Sequence, residues 1–414
     1  MLKRVKFDES SMVVAGDGGS EEGGISHHRR ILGMLRENPN MIRTFGRELF
    51  RHKVGAHLDA RWRDGFAAPP VRIKINLTRL CNLRCQMCIQ DRRDAEKEKF
   101  SWNDPRNQLP LEPWVKLLDE TMPFMPLIAL TGGEPLMYPH FRGFIRAAKE
   151  RRFVVELITN GTLLDREAEF LVREGVEFVI VSIDGPEEFH DRIRGQKGAY
   201  RAAVAGVQSL LDARRQRNAA RPLVSLNCTI SKTNLAVVDQ MMPIASRLGV
   251  DVLNYLHTIF DSPENAARHN RIFSEEWVRS KGLEVVFPSL PDGEYYESEI
   301  GPEDVPLLEE LAAKVQRHGQ SPLMVSFSPN LSARKIRPYY LDLHHPFSET
   351  CKCLWTDCRI LPDGSIIPCL HVRGGNINDG PFLEVWNCPQ IRNFRKLVAK
   401  RLFPGCARCC CRVY

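Results

Sequence analysis

The sequence predicts an α/β fold: an incomplete six-unit βα barrel, preceded by a helical extension and followed by a small cysteine-rich domain. Three observations carry this. Six strand-length apolar segments are separated by helix-length segments with apolar residues at three- and four-residue spacing, the pattern of βαβ units in a parallel sheet. No glycine-rich dinucleotide fingerprint follows the first strand, which directs the sheet toward an incomplete barrel or strong curvature rather than a doubly wound fold. Finally, nine of the 13 cysteines crowd the last stretch, from Cys351 to Cys411.

The elements follow in order. Residues 1 to about 26, rich in Gly, Ser, Asp and Glu, read as a mobile tail. From His27 to about Gly65, Ile31, Leu32 and Leu35, then Ile42, Phe45 and Leu49, fall at helical spacing, and Pro69-Pro70 closes this prefix. Strands are expected at VRIKINLT (71–78), LIALTGG (127–133), FVVELITN (153–160), FVIVSIDG (178–185), LVSLNCTIS (223–231) and VDVLNYLHT (250–258). FRGFIRAAKERR, REAEFLVREG and YRAAVAGVQSLLDARRQR supply intervening helices. Beyond residue 259 a helix from Pro302 to Arg317, a strand around LMVSFS and the connector YYLDLHHPF lead to the last domain. The expected units are 1–68, tail and helical extension; 69–260, barrel core; 261–349, core completion and bridge; and 350–414, cysteine-rich domain.

Composition sets the class. Hydrophobic residues at 43% and charged residues at 26% are ordinary for a globular protein. No apolar run approaches the roughly 20 residues needed to span a bilayer, and the basic N-terminus lacks the apolar core of a secretory signal, so a cytoplasmic location is expected. The net charge of +7 is scattered, without the basic stripe and interleaved aromatics of a nucleic-acid surface. In a reducing compartment, clustered cysteines point to metal or redox chemistry rather than disulfides. Cys228, alone in an alternating apolar segment, reads as a small buried hydrophobe.

The stretch CNLRCQMC places Cys81, Cys85 and Cys88 at spacings of four and three on the first strand-to-helix connection, bringing the sulfurs to one side. Thiolates select zinc, copper(I) or iron–sulfur clusters. A structural zinc would need a distant fourth ligand, whereas a four-iron cluster held by three cysteines leaves one iron open to an exogenous ligand.

This spacing resembles the Cys-x3-Cys-x2-Cys motif of the radical S-adenosylmethionine (radical SAM) enzymes, with Met87 at the apolar position beside the adenine. TGGEP (131–135), comprising Gly132, Gly133, Glu134 and Pro135, is similar to the family's GGEP element, which receives the methionyl amino group. In physical terms the glycines admit a close approach of backbone to ligand and Glu134 can pair with an ammonium. TNGT, with Asn160, and SIDGPEEFHDRIRG resemble further family segments. By that resemblance Ser182 and Asp184 are candidates for the ribose and its surroundings, Arg194 for the methionyl carboxylate, and Asn227 for the adenosine site. The resemblance implies a TIM-like (β/α)6 core, a [4Fe-4S] cluster on Cys81, Cys85 and Cys88, and reduction by a flavodoxin or ferredoxin. Cleavage of S-adenosylmethionine (SAM) to a 5′-deoxyadenosyl radical and hydrogen abstraction from a substrate carbon follow.

Cys351 through Trp355 and Gly364 to Cys369, followed by Cys406-x2-Cys409, resembles the SPASM and twitch extensions of this family. That implies one auxiliary [4Fe-4S] cluster on Cys351, Cys369, Cys406 and Cys409. With Cys353, Cys358, Cys388, Cys410 and Cys411 also present, a second cluster stays open, as does a zinc ribbon. PDGSIIPC suits a hairpin turning at Asp363-Gly364, and GPFLEVWN a helix start. The resemblance implies an oxidation or bond-forming modification aided by the auxiliary cluster, in peptide or protein maturation first, or on a sugar, nucleotide or cofactor precursor. From another class, a non-catalytic iron–sulfur or zinc protein would have to treat GGEP and the βαβ units as coincidence.

Overall fold

A computed structural model of the protein describes residues 27–62, 64–88, 108–285, 298–318, 322–345, 347, 350–369 and 372–409. The expected tail, together with Cys410 and Cys411, lies outside the described residues.

All six expected strands form within their segments: β1 (Arg72–Asn76), β2 (Leu127–Thr131), β3 (Val155–Thr159), β4 (Phe178–Ser182), β5 (Leu223–Thr229) and β6 (Val252–Leu256). Four more follow: β7 (Glu284–Val285), β8 (Met324–Ser328), β9 (Asp357–Ile360) and β10 (Val372–Arg373). β7 and β10 make a small antiparallel pair. The other eight form one parallel sheet in the order β8-β6-β5-β4-β3-β2-β1-β9, unclosed between its edges β8 and β9. Alternation sets the faces. Ile73 and Ile75 of β1 are fully buried with the helix residues Trp114, Leu118, Phe144 and Ile145, which leaves Arg72 and Lys74 on the interior face of the barrel.

Cys358, which the spacing left open as an auxiliary ligand, is a buried residue of β9, the strand that pairs with β1, and stands opposite Ile73. It belongs to the core between sheet and helices, and burial pushes its thiol well above the usual range.

The helical prefix comprises His27–Glu37 and Asn40–Phe50, the latter continuing through a π-helical turn, Arg51–Gly55, into Ala56–Trp62. It closes the barrel at the amino ends of the strands. Met34 and Met41, flanked by Leu35 and Phe45, pack on Leu127, Ala129, Val154 and Leu223, and the Phe45 ring meets Phe178 edge-on at 6.0 Å. Polar contacts fix the seat: Thr44 Oγ1 donates to Met125 O at 3.2 Å, and Arg72 donates to Glu48 at 3.2 Å.

Glu177 holds this end together. Its fully buried carboxylate accepts from Asn38 Nδ2 (2.8 Å), Lys149 Nζ (2.6 Å), Arg221 Nη1 (2.9 Å) and the Val155 amide (2.9 Å). Glu177→Ala leaves Lys149 without its carboxylate and Arg221 with Glu37 alone, and should cost about 3 kcal/mol of stability. A lower urea midpoint at unchanged slope is the expected result, and an unmoved midpoint would contradict it.

At the other end the hairpin forms as expected. Asp363 Oδ1 accepts from the Ser365 amide at 3.0 Å, Gly364 has φ +85°, and Ile360 bridges Ile366. Helices Phe382–Trp386 and Pro389–Lys400 follow. Arg395, fully buried over the Trp386 ring at 4.1 Å, donates to Leu354 O, Asn387 Oδ1 and Gly65 O, so one side chain joins the cysteine-rich segment to the N-terminal extension.

Candidate active site

The cysteine loop leaves β1 at the carboxyl ends of the strands and is clamped from two sides. On one, the Gly133 amide donates to Thr78 O (2.8 Å) and the Glu134 amide to Leu80 O (2.7 Å). On the other, the amides of Arg84 and Gln86 donate to Arg194 O (3.2 Å) and Ile193 O (2.8 Å), at the end of helix Glu187–Arg194. The packing leaves no room for side chains. A β-carbon on Gly133 would sit 2.2 Å from Leu80 O, one on Gly132 (φ +135°) 2.5 Å from Thr78 O, and one on Gly195 2.3 Å from Arg84 O. The GGEP glycines were expected to admit a ligand; what approaches their α-carbons is the backbone of the cysteine loop.

Within the loop, Cys81, Cys85 and Cys88 are half-buried, the Cys88 amide donates to Cys85 O at 3.0 Å, and Met87 lies in the turn between them. Burial pushes the Cys85 thiol up to about 11, and burial also raises Cys81; the neighbouring cysteines' charges add to both shifts. Such thiols give up their protons to a thiophilic metal group more readily than to water. Among the described residues no three Cys, His, Asp or Glu side chains are arranged to hold a metal ion; the all-thiol character of the donor set is what suits an iron–sulfur cluster.

Glu134 is fully buried. Its carboxylate accepts from Thr159 Oγ1 (2.7 Å), the Asn160 amide (2.8 Å) and the Leu136 amide (3.1 Å), using three of roughly four acceptor positions. Burial pushes its carboxyl up, and the three donors pull it back. Pro135 starts the turn that follows. Asn160 Nδ2 donates to Asn82 Oδ1 at 2.9 Å, tying the end of β3 to the cysteine loop.

Asp184 is fully buried, with Oδ2 accepting from Arg194 Nε at 2.6 Å and Oδ1 from the Thr229 amide at 2.9 Å, so it anchors Arg194. Arg194, the candidate for the methionyl carboxylate, turns Nη1 toward Cys85 Sγ at 3.8 Å. Burial alone would weaken its positive charge; Asp184 first, with Cys85 adding to it, outweighs that and holds it charged.

Ser182 and Asn227 are register partners on β4 and β5, and the row continues through Asn254 to Ser326. Asn254 Nδ2 donates to Asn227 Oδ1 at 3.4 Å, and Ser326 Oγ to Asn254 Oδ1 at 3.1 Å. Sequence reasoning passed over Asn254 and Ser326. A polar residue at the interior-facing position near each strand's end was the available signal.

Buried neutral histidines surround this end. His190, fully buried, accepts from the Asp184 amide at Nδ1 (3.2 Å) and is pushed down to about 4 by burial; burial likewise takes His269 to about 4 and His257 to about 3. An unfolded histidine titrates near 6.5, so between those values the unfolded chain binds more protons than the folded one. Their contribution, roughly 3 kcal/mol for His190 alone, is complete above pH of about 6.5 and is lost as pH falls toward 4. Denaturant midpoints at pH 7.5 and 5 should show the loss, and equal midpoints would rule it out.

Of the expected auxiliary ligands, Cys351, Cys369, Cys406 and Cys409 are half-buried, with the first three packed against the core, and the Cys409 amide donates to Cys406 O at 3.4 Å. Cys353 opens the short helix Cys353–Thr356, and Cys388 sits at the N-cap of Pro389–Lys400.

Comparison with known proteins places these features. The Radical SAM superfamily model matches residues 75–226, and an iron–sulfur cluster-binding (SPASM) domain matches 351–410. Fe-coproporphyrin III synthase of Methanosarcina barkeri is 26% identical over 81% of this chain and 79% of its own length. The AdoMet-dependent heme synthase of the same organism is 29% identical over 79% of this chain and 84% of its own. SuiB of Streptococcus suis shares the fold at a TM-score of 0.54 and 14% identity, covering 80% of this chain and 68% of SuiB. AdoMet-bound anSMEcpe does so at 0.53 and 18%, covering 80% and 84%. The matched stretches carry both cysteine groups, and the chain belongs to the radical SAM superfamily, with SAM and a [4Fe-4S] cluster as its cofactors and a SPASM domain for auxiliary iron–sulfur clusters.

Proposed function

We propose that this radical SAM enzyme is an oxidoreductase acting on a small biosynthetic metabolite of the tetrapyrrole class. One observation carries the reading: similarity extends over about four-fifths of each chain to proteins named for synthesis of Fe-coproporphyrin III and heme. A peptide substrate, the first expectation, keeps only a likeness of fold to SuiB and anSMEcpe in its favour.

In this reading Cys81, Cys85 and Cys88 hold the cluster that binds SAM, and Cys351, Cys369, Cys406 and Cys409 hold an auxiliary cluster. Reduced and loaded with SAM, the first supplies the 5′-deoxyadenosyl radical that abstracts hydrogen from the substrate. The chain's own groups prepare the site. Arg194, fixed by Asp184, keeps a positive charge beside the Cys85 thiolate. Glu134 locks the ends of β2 and β3 under the cysteine loop, and the Ser182–Asn227–Asn254–Ser326 row offers donors and acceptors to an adenosyl group. No described helix is long and apolar enough to cross a membrane, and we place the enzyme in the cytoplasm with a flavodoxin or ferredoxin as reductant.

The test is anaerobic. The reconstituted full chain, reduced with dithionite and given SAM, should form 5′-deoxyadenosine faster with iron-coproporphyrin III, with matching loss of substrate mass. Unchanged 5′-deoxyadenosine formation with the porphyrin would overturn the reading.

A further inference from the structure

The cysteine loop is half-buried and gathers three thiolates, so a cluster seated on it takes up an electron against negative, poorly solvated surroundings. Fixed charge nearby then decides how readily the electron arrives. Reduction potentials of thiolate-held clusters follow net charge, hydrogen bonds to the sulfurs and solvent exposure.

Arg194 supplies such a charge and is held from more than one side. Its Nε donates to Asp184 Oδ2 at 2.6 Å, its carbonyl accepts the Arg84 amide at 3.2 Å, and Nη1 stands 3.8 Å from Cys85 Sγ. Asp184 is fixed in turn: Oδ1 accepts from the Thr229 amide at 2.9 Å and its carbonyl from Asn234 Nδ2 at 2.7 Å. Nε meets the carboxylate and Nη1 the sulfur, so the ion pair turns its positive end to the cysteine.

The neighbouring groups do not duplicate this. The Leu83 amide is aimed at Cys81 Sγ at 3.5 Å, but an amide carries only a partial charge. His190, bonded to the Asp184 amide, is kept neutral by burial. Arg194 itself is 9% exposed, so water screens its charge little. Nor does stability account for the pair, since a buried ion pair is often no better for folding than well-packed apolar residues of the same size.

We propose that Arg194, acting through Cys85, raises the reduction potential of the SAM-binding cluster and brings it within reach of a flavodoxin or ferredoxin. The step takes one electron from the reductant, moves no proton and breaks no bond. This deepens the radical SAM reading and rests on Cys85 being a ligand.

The test is an anaerobic redox titration of the reconstituted full chain without SAM, poised with dithionite and mediators and read by electron paramagnetic resonance. Cys81→Ala/Cys85→Ala/Cys88→Ala supplies the auxiliary signal to be subtracted. Replacing Arg194 alone would leave Asp184 buried and unpaired, so the pair is neutralised together as Asp184→Asn/Arg194→Gln. At a fixed ambient potential the ratio of reduced to oxidised first cluster should fall about tenfold, a shift of about 59 mV for one electron, with the auxiliary midpoint unmoved.

A parent-like midpoint in the neutral pair, with iron content unchanged, overturns the proposal; weaker SAM binding in that same variant would give Arg194 to the methionyl carboxylate instead. If the neutral pair does not hold its iron, Arg194→Lys decides. A single ammonium lacks the fork that serves Asp184 and Cys85 together, so a lower midpoint supports the proposal and a parent-like one overturns it. A parent with no signal beyond that of the triple variant overturns the ligand assignment itself.

Discussion

Cys85→Ala abolishes reductive cleavage of SAM and removes about four iron atoms per chain, leaving the auxiliary absorbance in place. Cys85 has two roles that no other side chain covers: it is the central thiol of the three, and it is the sulfur that Arg194 faces at 3.8 Å. A cluster left on two protein ligands is expected to be lost during anaerobic desalting. Iron analysis, the visible spectrum and 5′-deoxyadenosine measured on one preparation check this. Full iron content or undiminished cleavage would show that Cys85 is no ligand, and simultaneous loss of the auxiliary absorbance would contradict separate seats for the two groups.

Gly133→Ala is the second large effect, and it acts without touching a ligand. The added carbon would meet Leu80 O at 2.2 Å and Arg79 O at 2.7 Å, both backbone atoms that cannot swing aside. The loop must move, costing about 1–3 kcal/mol of stability, and a displacement near 1 Å can lower the rate of SAM cleavage by about a hundredfold. Gly46→Ala is the control, since no atom lies within 4 Å of its β-carbon position. In the interior of a helix that change should be neutral or stabilise by up to about 1 kcal/mol. Equal behaviour of the two variants would argue against steric exclusion at Gly133.

The six core strands were legible because alternation and length mark them wherever one face is buried. β9 was not, because a strand of four residues carries too little periodicity and the spacing alone leaves Cys358 open as a ligand. The prefix was legible as helix, but nothing in its own sequence says that Met34 and Met41 meet Leu127 and Val154. Cysteine spacing exposed the first metal seat directly. The roles of Asp184 and Arg194 were hidden because they satisfy each other across a helix, so neither is wholly available to a ligand, and local sequence does not record such pairing.

Because β1 takes its last partner from residues 357–360, the strand that launches the cysteine loop keeps one edge bare through most of synthesis. Contacts of such long sequence separation form late and slowly, and an unpaired edge invites association with other chains. Iron delivered before the C-terminal segment leaves the ribosome would meet thiols on a loop whose supporting strand is half-paired. A chain cut short before β9 therefore loses more than its auxiliary cysteines, because β1 is left with an unpaired edge beneath the cysteine loop.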